Sequence, residues 1–160
     1  MARVFLGLGS NIGDGASTIR DAFAELSEIL NAARLSRLWR SHAMYVEDQP
    51  DFVNAAAMGE TELSPRALLA AVNGIEAHFG RDRSRERPKG PRTLDIDILL
   101  YGDLILRESD LILPHARLKE RRFALQPLMD LDEALRDPES GEAYSRILES
   151  LPPQGIYLLG

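Results

Sequence analysis

Asp95 and Asp97 occupy alternate positions in the apolar run Leu94-Asp-Ile-Asp-Ile98. A strand has a side-chain period of two, so both carboxylates face one side of a sheet while Leu94, Ile96 and Ile98 face the other. Two neighbouring carboxylates repel, and a central strand, which the run predicts, raises that cost unless cations sit between them. Hard oxygen ligands suit Mg²⁺, which is commonly held by one or two carboxylates together with substrate phosphates. An exposed sheet face or sheet edge bearing ordinary surface acids is the alternative reading of the same five residues.

The charge distribution favours the magnesium reading. The 160 residues include 25 acids and 19 bases, for a net charge of −6. From Arg81 to Arg92 six bases meet two acids, and from Arg117 to Arg122 four bases meet one acid. These islands of +4 and +3 leave −13 on the rest of the chain. Arginine offers a planar fork that matches phosphate oxygens, and Mg²⁺ bridges them, so Arg81, Arg83, Arg92, Lys119 and Arg121 are candidates for a polyphosphate. The segment from Arg81 to Gly90 holds almost no apolar anchor and reads as a loop able to close over bound phosphates. The acidic total argues against an extended nucleic-acid or anionic-membrane surface.

Other motifs narrow the choice. Gly7-Leu-Gly-Ser-Asn-Ile-Gly13 is one residue too long for the dinucleotide fingerprint, and the first lysine is Lys89, so there is no P-loop. There is no cysteine, which removes disulfides and thiolate metal sites. His42, His78 and His115 are too scattered for a local metal motif, although His115 lies beside the second island. Phe52 and Asn54 share a strand face, where an aromatic plate and an amide could hold a flat heterocycle; a core Phe beside a structural Asn is the alternative. No apolar run is long enough to span a membrane, and Met1 to Asp14 shows no small-residue cleavage pattern, so a cytoplasmic protein is expected.

Elements that would position these residues follow from periodicity. Arg3 to Gly9 reads as a central strand ending in a Gly-Ser-Asn turn. Ile19, Ala22, Phe23, Leu26, Ile29 and Leu30 make one stripe of a helix over Ser17 to Asn31. Strands are expected at Leu35 to Arg40 and Phe52 to Thr61. Ser64-Pro65 is a helix start, with Gly80 as the stop. A strand over Thr93 to Tyr101 then turns at Gly102-Asp103 into Leu104 to Leu106. The order β-α-β-β-α-β predicts an α+β fold, a ferredoxin-like sandwich with both helices on one face of an antiparallel sheet. The rest, including a helix near Tyr144 to Leu151, would be a C-terminal helical/hairpin appendage within one domain spanning 1–160.

Gly9-Ser-Asn11, Asp48-Gln-Pro-Asp-Phe-Val-Asn-Ala55, Gly90-Pro-Arg-Thr-Leu-Asp-Ile-Asp-Ile-Leu-Leu-Tyr-Gly102, Pro114-His115, Arg121 and the run Phe123 to Leu128 together resemble the 6-hydroxymethyl-7,8-dihydropterin pyrophosphokinase family, in the same order from about Val4 to Leu135. The resemblance implies pyrophosphate transfer from ATP to the pterin hydroxymethyl group in folate biosynthesis, releasing AMP. It implies that Asp95 and Asp97 hold two Mg²⁺ ions, and that Arg81 and Arg92 stabilise charge during transfer. Arg81, Arg83, Arg92, His115, Lys119 and Arg121 would meet the triphosphate or its nucleoside, with Leu69, Asn73, Glu76 and Ile98 near the nucleoside. The pterin would lie between Phe52 and Phe123, edged by Asn54 and Asp95 and by the chain at Ser41, His42 and Met44. The chain departs from the family pattern at Ala43-Met44-Tyr45, Lys89 and Ala116. Its partners would be small molecules only, acted on by a monomer. A two-metal nucleotidyltransferase or phosphohydrolase, and a ferredoxin-like binding module, are the competing classes.

Overall fold

The computed structural model describes residues 1–11, 14–42, 51–80 and 94–159. Strand β1 (Ala2–Ser10) is followed by α1 (Gly15–Ile29), β2 (Asn31–Leu35), β3 (Trp39–Ser41), β4 (Phe52–Thr61), α2 (Pro65–His78) and β5 (Asp95–Tyr101). A hairpin of β6 (Leu106–Glu108) and β7 (Leu111–Leu113), a single 3₁₀ turn (Leu118–Glu120), α3 (Arg122–Leu131), α4 (Tyr144–Ser150) and β8 (Ile156–Leu158) complete the chain. The main sheet runs β5-β1-β4-β3-β8, with β2 also on β4, and every pairing is antiparallel.

Alternation places two cores on the two faces of this sheet. Val4, Leu6, Leu8, Ala55, Ala57, Ile96 and Ile98 pack with Ile19, Ala22 and Leu26 of α1 and Leu68, Val72 and Ile75 of α2. Phe5, Ala56, Met58, Leu99 and Leu100 face the other way, onto Leu125, Leu128, Tyr144 and Ile147 of α3 and α4. Both predicted helices therefore lie on one face, as expected. Helices α3 and α4 form a second layer, because the apolar outer face of the sheet must be covered. Strand β8 within the main sheet had no counterpart in the sequence reading.

Three boundaries moved for local reasons. Helix α1 starts at Gly15, two residues before the predicted start, because the Asp14 carboxylate accepts the Ser17 N–H at 3.2 Å and caps the first turn. It ends at Ile29, since Leu30 is already extended and feeds β2. The predicted strand over Leu35 to Arg40 is two strands. The Ser36 hydroxyl accepts the Ala56 N–H at 2.8 Å, taking over a ladder bond at the break between them. Helix α2 begins as predicted, with Ser64 Oγ accepting the Ala67 N–H and Pro65 at the first helical position.

Among the described residues β5 is an edge strand paired only to β1 within the main sheet, not the central strand expected. Its outer side is served by Glu76 of α2, a buried carboxylate that accepts the Ile96 N–H at 2.9 Å. The β1–β5 register shifts between Phe5 and Leu6, so Leu99 is an extra residue and joins Leu100 on the α3 side. That bulge matters for the site.

Candidate active site

Asp95, Asp97 and Leu99 share the face of β5 that looks toward α3, with Ile96 and Ile98 buried on the opposite side. Asp95 pairs with Gly9 and Asp97 with Gly7, while Gly9 also pairs with Asn54 on β4. One row across the sheet thus reads Asp95, Gly9, Asn54. Glycine at the middle position leaves the floor bare: a Cβ on Gly9 would stand 3.5 Å from Asn54 Oδ1 and 3.8 Å from Phe52 Cδ1. The result is a cavity of about 240 Å³ lined by Gly7, Gly9, Ser41, His42, Phe52, Asn54, Asp95, Asp97, Leu99, His115, Leu118, Arg121, Phe123 and Ala124.

At one end of this cavity the polar groups are fixed by their neighbours. Buried Asn54 donates its amide N–H to the buried Ser41 Oγ at 2.7 Å, which leaves Oδ1 as the acceptor beside the Gly9 floor. At the other end, the backbone N–H of His115 donates to the carbonyl of the bulged Leu99 at 2.9 Å. His115 Nδ1 accepts the Arg117 N–H at 3.2 Å, so the ring proton is on Nε2, which lies 3.8 Å from Asp97 Oδ1. Burial, helped by the Arg121 and Arg117 charges and opposed by Asp95, lowers the His115 pKa to about 4. At neutral pH His115 is therefore an uncharged donor beside the carboxylates.

The second basic island is sorted by its partners. Arg122 donates to the carbonyls of Leu151 and Pro152, and Arg117 pairs with Glu120 at 3.3 Å. Lys119 Nζ sits 2.6 Å from Asp137 and lines a neighbouring cavity that shares His115 and Leu118 with the main one. Burial alone would push the Asp137 carboxyl up, but hydrogen bonds from Lys119, Ser140 and the Glu139 and Ser140 backbone more than offset it and bring it to about 2. Arg121 is the base of this island that lines the main cavity. Its guanidinium lies 5.4 Å over the Phe123 ring, and its buried Nε has no hydrogen-bond partner among the described residues. A buried unsatisfied donor beside two carboxylates fits an anionic ligand.

The structure thus brings together Ser41, His42, Phe52, Asn54, Asp95, Asp97, His115, Arg121 and Phe123. It does not bring Leu69, Asn73, Glu76 or Ile98 into this cavity: α2 covers the other face of the sheet, and Ile98 is buried in that core. Arg81, Arg83, Arg92 and Met44 lie outside the described residues, as do Ala43, Tyr45 and Lys89. Sequence reasoning missed Gly7 and Gly9 as cavity floor. The signal was present in the alternation Gly7-Leu-Gly9, since a strand with glycine on one face leaves that face open. Among the described residues no cluster of three or more His, Asp or Glu could hold a metal by itself. Two carboxylates on one face nevertheless fit Mg²⁺ that shares its ligands with a phosphate.

Carboxylates suited to Mg²⁺, set against donors suited to phosphate, are the groups that an enzyme moving phosphate would need. Comparison with known proteins makes this specific. The family described as 7,8-dihydro-6-hydroxymethylpterin-pyrophosphokinase (HPPK) matches residues 5–133. The 2-amino-4-hydroxy-6-hydroxymethyldihydropteridine pyrophosphokinase of Pseudomonas aeruginosa is 41% identical over 96% of this chain and 94% of its own length. That of Aquifex aeolicus is 38% identical over 96% of this chain and 92% of its own. The folic acid synthesis protein fol1 of Schizosaccharomyces pombe is 39% identical, and there the chain spans 21% of the relative's length. A crystal structure of a Plasmodium falciparum HPPK-DHPS triple mutant shares the fold, with a TM-score of 0.73 at 14% identity, over 92% of this chain and 44% of that one. The chain belongs to the HPPK family.

Proposed function

We propose that the chain transfers the terminal pyrophosphate of ATP to the hydroxymethyl group of 6-hydroxymethyl-7,8-dihydropterin, giving AMP and the pterin diphosphate in folate biosynthesis. The observation that carries this reading is one cavity in which Asp95 and Asp97 adjoin Phe52, Asn54 and Phe123. The pterin ring stacks between the two phenylalanines, and Asn54 Oδ1 accepts a ring or amino N–H at its edge. The open floor at Gly9 lets the ring lie close to the strand.

Asp95 and Asp97 would hold two Mg²⁺ ions, whose charge would neutralise that of the triphosphate. Neutral His115 donates Nε2–H to a phosphate oxygen, and Arg121 adds its guanidinium. By resemblance Arg81, Arg83 and Arg92 join them. Lys119 would do so only by leaving Asp137. Leu69, Asn73, Glu76 and Ile98 belong to the nucleoside end, with Glu76 also holding the β5 backbone between the two aspartates. In the transfer the pterin hydroxyl gives its proton to solvent water as its oxygen bonds to the β-phosphorus, and the bond to the oxygen bridging the α-phosphorus breaks, with the electron pair leaving on AMP. Catalysis is positioning and electrostatic stabilisation, without a protein nucleophile.

The strand order β5-β1-β4-β2 with α1 and α2 on one face supports a ferredoxin-like βαββαβ sandwich carrying a C-terminal hairpin and helical layer. We read residues 1–160 as a single pterin pyrophosphokinase domain, a cytoplasmic monomer acting on small molecules without nucleic acid or membrane. Among the described residues no helix is long and apolar enough to cross a membrane. Incubation with ATP, Mg²⁺ and the pterin, resolved by chromatography, tests the function: AMP and pterin diphosphate are expected. ADP would mean ordinary phosphoryl transfer, and absence of turnover would overturn the reading.

A further inference from the structure

His42 lines the cavity, yet both of its ring nitrogens are engaged away from it. Nδ1 lies 3.0 Å from Asp51 Oδ1, and Nε2 lies 2.7 Å from the Tyr157 hydroxyl of β8. A carboxylate only accepts, so Nδ1 carries a proton, and in the Nδ1–H tautomer Nε2 accepts from the Tyr157 O–H. The two rings meet edge to face at 5.5 Å between centroids. The backbone closes the same contact. His42 N–H donates to the Gly155 carbonyl at 3.3 Å, and β8 pairs with β3 from Trp39 to Ser41. Gly155 has φ +59°, and a Cβ there would come within 2.4 Å of His42 Cδ2, so only glycine permits the approach.

We propose that Tyr157, with Asp51, is a positioning residue for the heterocycle end of the cavity, acting through His42. With its nitrogens occupied, the imidazole offers carbon rather than a hydrogen bond to the ligand, and its held orientation sets the width of the slot beside Phe52. The C-terminal strand is thereby part of the substrate site although it touches no substrate. This rests on the pterin occupying that cavity.

The test is steady-state kinetics on full-length Tyr157→Phe, which keeps the ring and removes the hydroxyl. Losing one hydrogen bond that holds His42 is expected to raise the pterin KM by about three- to tenfold. The ATP KM and kcat stay at parental values, a split that a merely structural role would not give. On a His42→Ala background the same change adds less than about twofold, because its route to the site is gone. Nitrogen NMR of His42 follows the contact itself: the parent shows the Nδ1–H tautomer, and Tyr157→Phe shifts Nε2. Equal changes in both KM values, an undiminished effect without His42, or an unmoved Nε2 resonance would overturn the inference alone. A parent enzyme that turns over no pterin would overturn it together with the function.

Discussion

Replacing Gly9 by alanine separates the needs of the fold from those of the site. The new methyl would sit 3.5 Å from Asn54 Oδ1 and 3.8 Å from Phe52 Cδ1, both ordinary contacts, so the protein itself accommodates it. Alanine also narrows the unfolded ensemble, which at a compatible position stabilises a protein by about 0.4–1 kcal/mol. The same methyl occupies the floor on which the heterocycle is proposed to lie. One methylene too many in a fitted pocket costs about 1–3 kcal/mol, a 10- to 200-fold loss. Gly9→Ala is therefore expected to melt at or slightly above the parental temperature while its pterin KM rises at least about tenfold. The ATP KM should change little, since the methyl points at Asn54 and Phe52. Gly7→Ala is the comparison: its Cβ meets Leu99 Cδ1 at 3.3 Å, the flexible end of a side chain, so a smaller effect on pterin is expected. Chemical denaturation and steady-state kinetics on the same preparations decide the matter. A Gly9→Ala enzyme with parental pterin KM would show that the Gly9 floor does not hold the heterocycle, and one clearly less stable than the parent would show that the fold does not accommodate the methyl.

Asp97→Asn preserves size but removes a hard ligand, so turnover should fall by at least about a thousandfold with folding intact and Mg²⁺-dependent nucleotide binding weakened in calorimetry. Acid should destabilise the protein in two steps. The folded pKa of His115, about 4, lies below its ordinary 6.5, so its contribution is complete above pH 6.5 and fades toward pH 4. That of Asp137, about 2 against 3.8, survives to lower pH and is lost from there toward pH 2. Denaturation curves across pH should show the first step vanish in His115→Gln. Lys119→Met should lower stability by about 1–3 kcal/mol, because Asp137 stays buried with fewer partners. Parental stability with a raised ATP KM would return Lys119 to the triphosphate.

Much of the site was readable because it depends on local rules. Period-two alternation put Asp95 with Asp97 and Phe52 with Asn54 before any fold was known, and the structure places all four in one cavity. Strand β4 and the start of α2 lie where expected, since a turn, a hydroxyl cap and a proline act over a few residues. The helix start at Asp14 was missed because its cap lies outside the apolar stripe that defined the helix. Lys119 looked equivalent to Arg121 in a basic run; only Asp137, far along the chain, makes them different.

The chemistry on offer is legible along the chain: two carboxylates on one strand face, arginines in two islands, an aromatic and an amide on another strand, and the family to which they belong. These are properties of residue type and short spacing. Tertiary structure alone decided which of them meet. It set β5 at the sheet edge, with Glu76 on its backbone and a bulge at Leu99 whose carbonyl holds His115 beside Asp97. It turned Gly7 and Gly9 into an open floor by pairing them with Asp97, Asp95 and Asn54. It also brought Tyr157 to His42 across 115 positions of chain. Register, bulges and long-range pairing arise from packing of the whole sheet, and no local pattern of residues encodes them.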